Sequence, residues 1–289
     1  MRITDKTVIT LGKFEALHLG HVQLISATLE YARLNDLASA LLSFVPHPAQ
    51  ILGGAPEDGY KPLFTEREKG LLLELYGLDH CISYPFDVAL SRLSPLAFCG
   101  LLREQFNCVA LIVGENFRFG YGREGTPWMD LGVEVITVPM LQEISTSQIR
   151  RFLSEGKIKE AKALMGRAFF IMGEVQRGRQ LGRSIGFPTA NIHPAADKFL
   201  PPKGVYASRV TLGSKTYSAV TNIGTNPTVA DELDHKVETH IFNFDRDIYG
   251  LEISVEILEF IRPERAFSSL DELRLQIAVD AGAAVKVLR

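Results

Sequence analysis

From Phe169 to Phe260 strand follows strand with no helix between them, and this run constrains the fold more than any other feature of the chain. "FFIMGEVQ", "GVYASRVTL", "KTYSAVTNI", "VETHIFNF" and "LEISVEILEF" carry the alternation of half-buried strands. In the last, Leu251, Ile253, Val255 and Ile257 face one way, and Glu252, Ser254 and Glu256 the other. Leu258 and Phe260 then shift the phase, which predicts a bulge. Parallel pairing needs long crossovers, so successive strands without helices imply an antiparallel barrel or sandwich. One helix, "SLDELRLQIAVDAGAAVKVL", closes the chain.

Before Gly166 the pattern is different. "VITLG", "ASALLSFVP", "HCISYPF", "VALIVG" and "VEVITVP" read as strands, and the stretches after the first three read as helices. Ser94 is placed to cap "SPLAFCGLLREQF", with Pro95 in its first turn. "TSQIRRFLSEG" and "IKEAKALMG" close this half as helices ending at glycines. Alternating β and α with continuously apolar strands predicts a doubly wound parallel sheet covered on both faces. The 289 residues suit about two domains at roughly 150 residues each, with residues 1–165 expected in one and 166–289 in the other.

Several classes are disfavoured. A net charge of −3 gives no basic stripe for nucleic acid. No segment reaches about 18 uninterrupted apolar residues, so no membrane span is expected, and "MRITDKTVITLGKFE" does not read as a signal peptide. Cys81, Cys99 and Cys108 lack CxxC spacing and read as ordinary buried thiols of a reduced, cytoplasmic protein. Nothing in the sequence fixes an oligomeric state.

"GKFEALHLGH" (12–21) places His18 and His21 where the first strand gives way to a helix. The apolar residues Val22, Ile25, Leu29 and Ala32 are expected on that helix's buried face. Ligands of doubly wound sheets sit beyond the C-terminal strand ends, and a helix N-terminus offers free N–H groups to phosphate. Imidazoles there would stabilise charge developing on a phosphoryl group, and Gly20 lets the backbone approach a ligand. A helix-start pair without a role, or a zinc pair, fits the same spacing. A second anion site is offered by "ISTSQIRR", with Ser145, Thr146 and Ser147 opening a helix and Arg150 one turn in; simple N-capping explains one hydroxyl of the three. "GENFRFGYGREG" contains a literal GxGxxG at Gly120–Gly125, but it neither follows a strand directly nor opens a helix, so it is not a dinucleotide fingerprint. Its aromatics could flank a planar ligand, or the loop could simply lie on the surface. GxxxxGK[ST] is absent.

In the second half, "GRSIGFPTANI" reads as a loop entering a short strand, with Thr189 and Asn191 on one side. Their oxygens suit a hard cation such as Mg²⁺, or a locally capped turn. "QRGRQLGR" is a candidate flap over phosphates or an exposed charged loop. "VETHIFNF" puts Glu238, His240, Phe242 and Phe244 on one strand face. A carboxylate there is either a general base or an edge residue reaching water.

Strand, HxGH and a late "ISTSxIR" helix resemble the nucleotidylyltransferase superfamily. "GKFEALHLGH", "SFVPHP", "PFD", "GENFRFGYGREG" and "ISTSQIR", in that order, resemble the adenylyltransferase module of bifunctional bacterial riboflavin kinase/FAD synthetase. "GEVQRGRQLGRSIGFPTAN", "GVYA", "NIGTNPT", "ETHIFNFDRDIYG" and "RPERAFSSLDEL" resemble its riboflavin kinase module, so the likeness spans nearly the whole chain.

The resemblance implies an α/β protein: a doubly wound nucleotidylyltransferase domain, then an antiparallel six-stranded β-barrel with a terminal helix. It implies ATP-dependent phosphorylation of riboflavin to FMN, then adenylylation of FMN to FAD, with flavin and ATP as small-molecule partners and Mg²⁺ as cofactor. It makes His18 and His21 the adenylyl-transfer histidines and Glu238 the kinase base. Gly12, Phe14, Gly20, Asn116, Ser145, Thr146, Ser147 and Arg150 are implied for nucleotide or phosphate in the first half, as are Gly182, Thr189 and Asn191 in the second. Thr189 and Asn191 are also the implied metal ligands. Phe86, Asp87, Phe117, Phe187 and His240 are implied for flavin. Where the family usually shows Asp-Gly, this chain has Glu15 and Ala16, and Ala16 lacks a glycine's freedom at a turn. That departure keeps one alternative in view, a kinase with a weak or decayed adenylyltransferase half; a non-enzymatic flavin-binding protein is a second.

Overall fold

The computed structural model describes residues 2–54, 59–139, 144–178, 182, 185–226 and 234–288. The chain forms two compact units: Met1–Lys61 with Glu66–Ile144, and Pro62–Thr65 with Ser145–Arg289.

In the first unit, five strands form a parallel sheet: β1 (Thr7–Leu11), β2 (Ala38–Val45), β3 (His80–Pro85), β4 (Cys108–Gly114) and β5 (Glu134–Val138), in the order β3-β2-β1-β4-β5. All five residues of β1 are buried, as its unbroken apolar run requires of a central strand. One face packs Ile9, Leu11 and Leu111 against Leu102 and Phe106 of helix α5 (Pro95–Phe106). The other packs Val8 and Ile112 against Leu24 and Ala32 of α1 (Leu19–Asn35). The buried residues of α1 include Leu24, Ile25, Thr28 and Ala32; Val22 and Leu29 are only half-buried, so the inward stripe is rotated from the expected one. Thr28 is accommodated there because its hydroxyl donates to the Leu24 carbonyl at 2.8 Å. Ser94 caps α5 through the Ala97 N–H, with Pro95 at its first position. Two further short helices, α2 (Pro48–Ile51) and α4 (Val88–Ser91), and the longer α3 (Glu66–Glu74) complete the connections. Cys99 and Cys108 are buried, and burial pushes their thiols up to about 11 and about 12; Cys81, expected to be buried, is exposed on the edge strand β3.

The second unit begins with α6 (Thr146–Ser154) and α7 (Ile158–Met165), helices that the sequence pattern assigns to the end of the first half. α7 ends at Gly166 in the left-handed conformation (φ 70°). Six strands then close a barrel: β6 (Phe169–Gln176), β7 (Ala190–Ile192), β8 (Gly204–Leu212), β9 (Lys215–Asn226), β10 (Asp234–Ile241) and β11 (Glu252–Pro263). Their order is β10-β7-β6-β11-β8-β9, and every pairing is antiparallel. The expected bulge is present: the β11–β8 register shifts between Ile257 and Glu259. β10 ends earlier than its pattern suggests. Asn243 takes a left-handed φ of 53°, so Phe244 leaves the strand face that carries Glu238.

Inside the barrel, hydroxyls of Ser208, Thr221 and Thr239 satisfy one another across three strands, at 2.7 and 2.9 Å. Helix α8 (Leu270–Leu288) packs Ala281, Ala284 and Leu288 on Val205, Ala207 and Val220 of the barrel's outer surface. A fork from Arg262 to Asp280 pins it: Nε donates to Oδ1 at 2.9 Å and Nη2 to Oδ2 at 2.7 Å. The segment Pro62–Thr65 is tied in by Lys198. This side chain is 2% exposed, its Nζ donates to the Leu63 carbonyl at 2.7 Å, and it lies over the rings of Phe64 and Phe169.

Candidate active sites

The strand order of the first unit reverses between β1 and β4, so the crevice beyond their C-terminal ends is where such a sheet takes a ligand. β1 runs out into the stretch 12–18, and β4 into Glu115 and Asn116. The turn after β1 is held by backbone in unusual conformations: Phe14 (φ 44°) and Leu17 (φ 43°) both lie in the left-handed region and are fully buried. Gly12 is needed for this, because a Cβ there would come within 2.9 Å of the Phe14 ring. Ala16 is not among the left-handed residues, so a glycine's freedom is not what position 16 requires.

His18 is the N-cap of α1. Its Nδ1 accepts the His21 N–H at 3.3 Å, and the two imidazoles stack with centroids 3.7 Å apart and planes 16° from parallel. In the neutral ring an accepting Nδ1 places the proton on Nε2, so His18 presents an N–H donor with its other nitrogen. Phe14 backs His21 at 4.9 Å, and Gly20 is buried in the first turn of the helix. Capping thus explains one nitrogen of the pair. Among the described residues no three His, Cys, Asp or Glu side chains gather as a metal site.

The other expected residues of this unit are spread along the same end of the sheet. Asn116 and Asp87 are exposed; Asp87 caps α4 by accepting the Leu90 N–H at 2.7 Å. Phe86 packs edge-on against Phe44, and Phe117 stacks on Phe119 at 5.5 Å. The glycine-rich loop is a small closed hairpin, with Phe119 and Gly125 bridged and a 3-10 turn over Tyr121–Arg123. Ser145, Thr146, Ser147 and Arg150 belong to the second unit. Ser145 caps α6 through the Gln148 N–H, and the Arg150 guanidinium lies 5.4 Å from the centre of the Phe199 ring.

In the second unit two cavities share a wall made by Thr189 and Asn191. One, of about 360 Å³, is bounded by Thr239, Phe244, Asp245, Arg246, Asp247 and Tyr249. The other, of about 300 Å³, lies under α8 and holds Glu238, Lys236, His240, Phe187, Arg262 and Glu264. β7 is only three residues long, but pairing with β10 sets Asn191 opposite Glu238. Asn191 is 4% exposed; its Nδ2 donates to the Thr189 carbonyl, and its Oδ1 is buried with no hydrogen-bond partner among the described residues. A buried acceptor without a donor is costly, and a hard cation is the partner that an amide oxygen beside a threonine fits. Gly178 lets the chain pass over this amide, since a Cβ there would meet Nδ2 at 2.7 Å. Gly182 does the same against the Phe187 carbonyl at 2.3 Å and receives the Phe187 N–H on its own carbonyl. Residues 179–181 and 183 of the expected flap, 184 of "GRSIGFPTANI", and 227–229 of "NIGTNPTV" lie outside the described residues.

Glu238 is half-buried. The Lys236 ammonium, one strand repeat away on the same face, contacts its Oε1 at 2.5 Å. His240 follows on that face, with Nδ1 against the Pro188 carbonyl at 2.8 Å and its ring edge-on to Phe187. Lys236 was not singled out from the sequence, although the same alternation that groups Glu238 with His240 includes it. Glu264 was also missed. Asn222 donates to it at 3.1 Å, and Gly224 makes room for it, because a Cβ there would fall 2.3 Å from the carboxylate.

Two family models match the chain in succession. Residues 1–149 match the family model described as FAD synthetase, and residues 165–288 the one described as riboflavin kinase. A bifunctional riboflavin kinase/FMN adenylyltransferase of Escherichia coli K12 is 36% identical over 285 residues, covering 94% of this chain and 90% of that protein. One of Bacillus subtilis 168 is 33% identical, covering 97% and 92%. A crystal structure from Streptococcus pneumoniae, described as a macrolide-efflux protein, superposes with a TM-score of 0.87 at 28% identity, covering 97% of this chain and 94% of that one.

Proposed function

The chain belongs to the bifunctional riboflavin kinase/FMN adenylyltransferase family, and from that premise we propose how its residues divide the two reactions. Riboflavin is phosphorylated by ATP to FMN, and FMN is adenylylated by a second ATP to FAD with release of pyrophosphate. The kinase reaction belongs to the barrel unit and adenylyl transfer to residues of the HxGH region. The description attached to the Streptococcus structure is not carried over: among the described residues no helix is long and apolar enough to cross a membrane, and both enzyme models match.

The observation that carries the kinase assignment is the pair of cavities meeting at Thr189 and Asn191, with the Asn191 oxygen buried and without a hydrogen-bond partner among the described residues. Riboflavin is assigned to the cavity under α8, because that one contains the carboxylate able to receive its hydroxyl proton. Phe187 and His240 would lie against the flavin there. ATP is assigned to the neighbouring cavity, where Arg246 and the aromatic Phe244 and Tyr249 suit a nucleotide. Lys236 holds Glu238 by one oxygen, which leaves the other for the substrate hydroxyl and fixes the side chain before the substrate arrives. Gly182 closes on Phe187 beside Thr189 and belongs to the nucleotide-covering turn. Asn191 and Thr189 would hold Mg²⁺, which supplies neutralisation of phosphate charge in phosphoryl transfer.

For adenylyl transfer, His18 and His21 stabilise the charge that develops as the FMN phosphate attacks the α-phosphorus of ATP. The N–H of His18 Nε2 and the helix N-terminus act as preset donors, and neither imidazole needs to be a nucleophile. Gly12 and Phe14 shape the turn that sets those rings, and Gly20 allows close approach. Asn116 and the hydroxyls of Ser145, Thr146 and Ser147 with Arg150 are proposed for nucleotide and phosphate. Phe86, Asp87 and Phe117 are proposed for the flavin end. The three unpaired thiols support a cytoplasmic setting.

The test is to incubate the full chain with riboflavin, Mg²⁺ and ATP and separate the flavins. FMN and FAD together are expected. FMN alone would assign the chain to a kinase with an inactive first unit, and no turnover would leave a flavin binder.

A further inference from the structure

The outward face of α8 is left over from everything described so far. Its inner residues Leu273, Ile277 and Asp280 border the cavity, while Leu275 and Val279 on the opposite side are 70% and 64% exposed. Apolar side chains this open on one helix are unusual on a barrel that otherwise buries its surface well. Within the same face lies Gly282, in the interior of a 19-residue helix. A Cβ at Gly282 would have nothing within 4 Å, and its φ is not left-handed. Glycine is among the poorest residues for a helix interior, and no contact among the described residues accounts for it there.

Both facts are explained by a second copy of the same helix. Two antiparallel helices related by a two-fold axis bring residue i of one against residue j of the other with i + j constant. With the axis between Ala278 and Val279, Leu275 faces Gly282 of the partner, and Ala278 faces Val279. Asp271 faces Lys286. All of these residues are exposed. The large side chain meets the missing one, and the acidic end of each exposed face meets the basic end of its mate.

We propose that the chain self-associates into a two-fold dimer through antiparallel pairing of α8, with Gly282 as the socket for Leu275. A single helix pair about 28 Å long buries less than a standard interface of roughly 1,600 Å². The dimer is therefore weak, with a dissociation constant on the order of 10 μM.

Sedimentation of the full chain from about 1 to 200 μM tests this, with a concentration-dependent monomer–dimer equilibrium expected. Gly282→Leu fills the socket with a good helix former that meets nothing in the monomer. It is expected to abolish the dimer while leaving the dilute-protein melting temperature equal or higher. Asp271→Lys or Lys286→Asp alone should raise the dissociation constant about tenfold. The double exchange Asp271→Lys with Lys286→Asp should return it to the starting value. A monomer throughout the range, a dimer that survives Gly282→Leu, or a double exchange no tighter than the single ones would overturn the proposal.

Discussion

In the parallel-sheet unit the candidate groups sit between elements; in the barrel they sit on strands. His18 and His21 are positioned by a helix cap and a turn with two left-handed residues, so backbone conformation sets their stacking. Glu238, Lys236 and His240 are positioned by strand alternation, and Asn191 by its pairing with Glu238. The first arrangement is the one proposed to meet charge on a phosphate. The second sets a carboxylate, proposed as the proton acceptor, beside an amide oxygen proposed for a cation. The two tasks differ in the same way: adenylyl transfer has a phosphate nucleophile with no proton to lose, whereas the kinase must deprotonate an alcohol.

The largest effect that could break this comparison is at the proposed base. Glu238→Gln keeps the size and polarity of the side chain but removes the proton acceptor, so kinase kcat should fall by about 10²–10⁴-fold with little change in riboflavin affinity. FAD formation from added FMN should persist. Steady-state kinetics of both half-reactions on one preparation, with flavin binding measured apart, checks it; an unchanged kcat would make Glu238 a strand residue only.

Next in size is the histidine pair. His21→Ala should lower adenylyl transfer about 10²–10³-fold and spare the kinase. His18→Asn sharpens the point, because asparagine caps helices well while lacking the second donor nitrogen. It should cost activity without lowering the melting temperature, whereas His18→Ala should lower both. A His18→Asn enzyme with full FAD synthesis would reduce His18 to a cap.

The third concerns the cation. Asn191→Ala should raise the Mg²⁺ concentration needed for half-maximal kinase activity at least about tenfold, from loss of a buried charge-assisted contact. The Mg²⁺ requirement of adenylyl transfer should not move. Titrating Mg²⁺ in each half-reaction distinguishes the two sites.

The smallest effect is on stability. A fragment of residues 145–289 should fold and phosphorylate riboflavin, but without Pro62–Thr65 it loses the Leu63 acceptor of Lys198. A loss of about 2 kcal/mol is expected, or roughly 4–8 °C in Tm. Lys198→Met in that fragment should recover part of it, and in the full chain should not help. Calorimetry of the four proteins decides.

Most of this architecture is legible in the residues. Period-two and helical patterns mark the strands and the main helices, and the phase shift at Leu258 marks the bulge, because burial on one face leaves a periodic trace. The short helices α2 and α4 escape, being too brief for a period to register. Lys236 is visible in principle, two positions from Glu238 on the same strand. Glu264 and the Arg262–Asp280 fork are not, since they depend on how a loop and a distant helix come to rest on the barrel. The stacking of His18 on His21 is equally hidden: it follows from left-handed Phe14 and Leu17, residues with no local preference for that conformation. Residues 62–65 give no sign of belonging to the later half, because four residues contain no period.

That short segment has a consequence for synthesis. On the ribosome the parallel sheet can assemble as soon as β5 has emerged, but Phe64 must wait for Phe169 and for the ammonium of Lys198. At 5–20 residues per second this delay is on the order of ten seconds. Throughout it the finished sheet presents an aromatic residue that has no burial site yet. Translation speed and chaperone access over that interval therefore bear on the yield of folded protein.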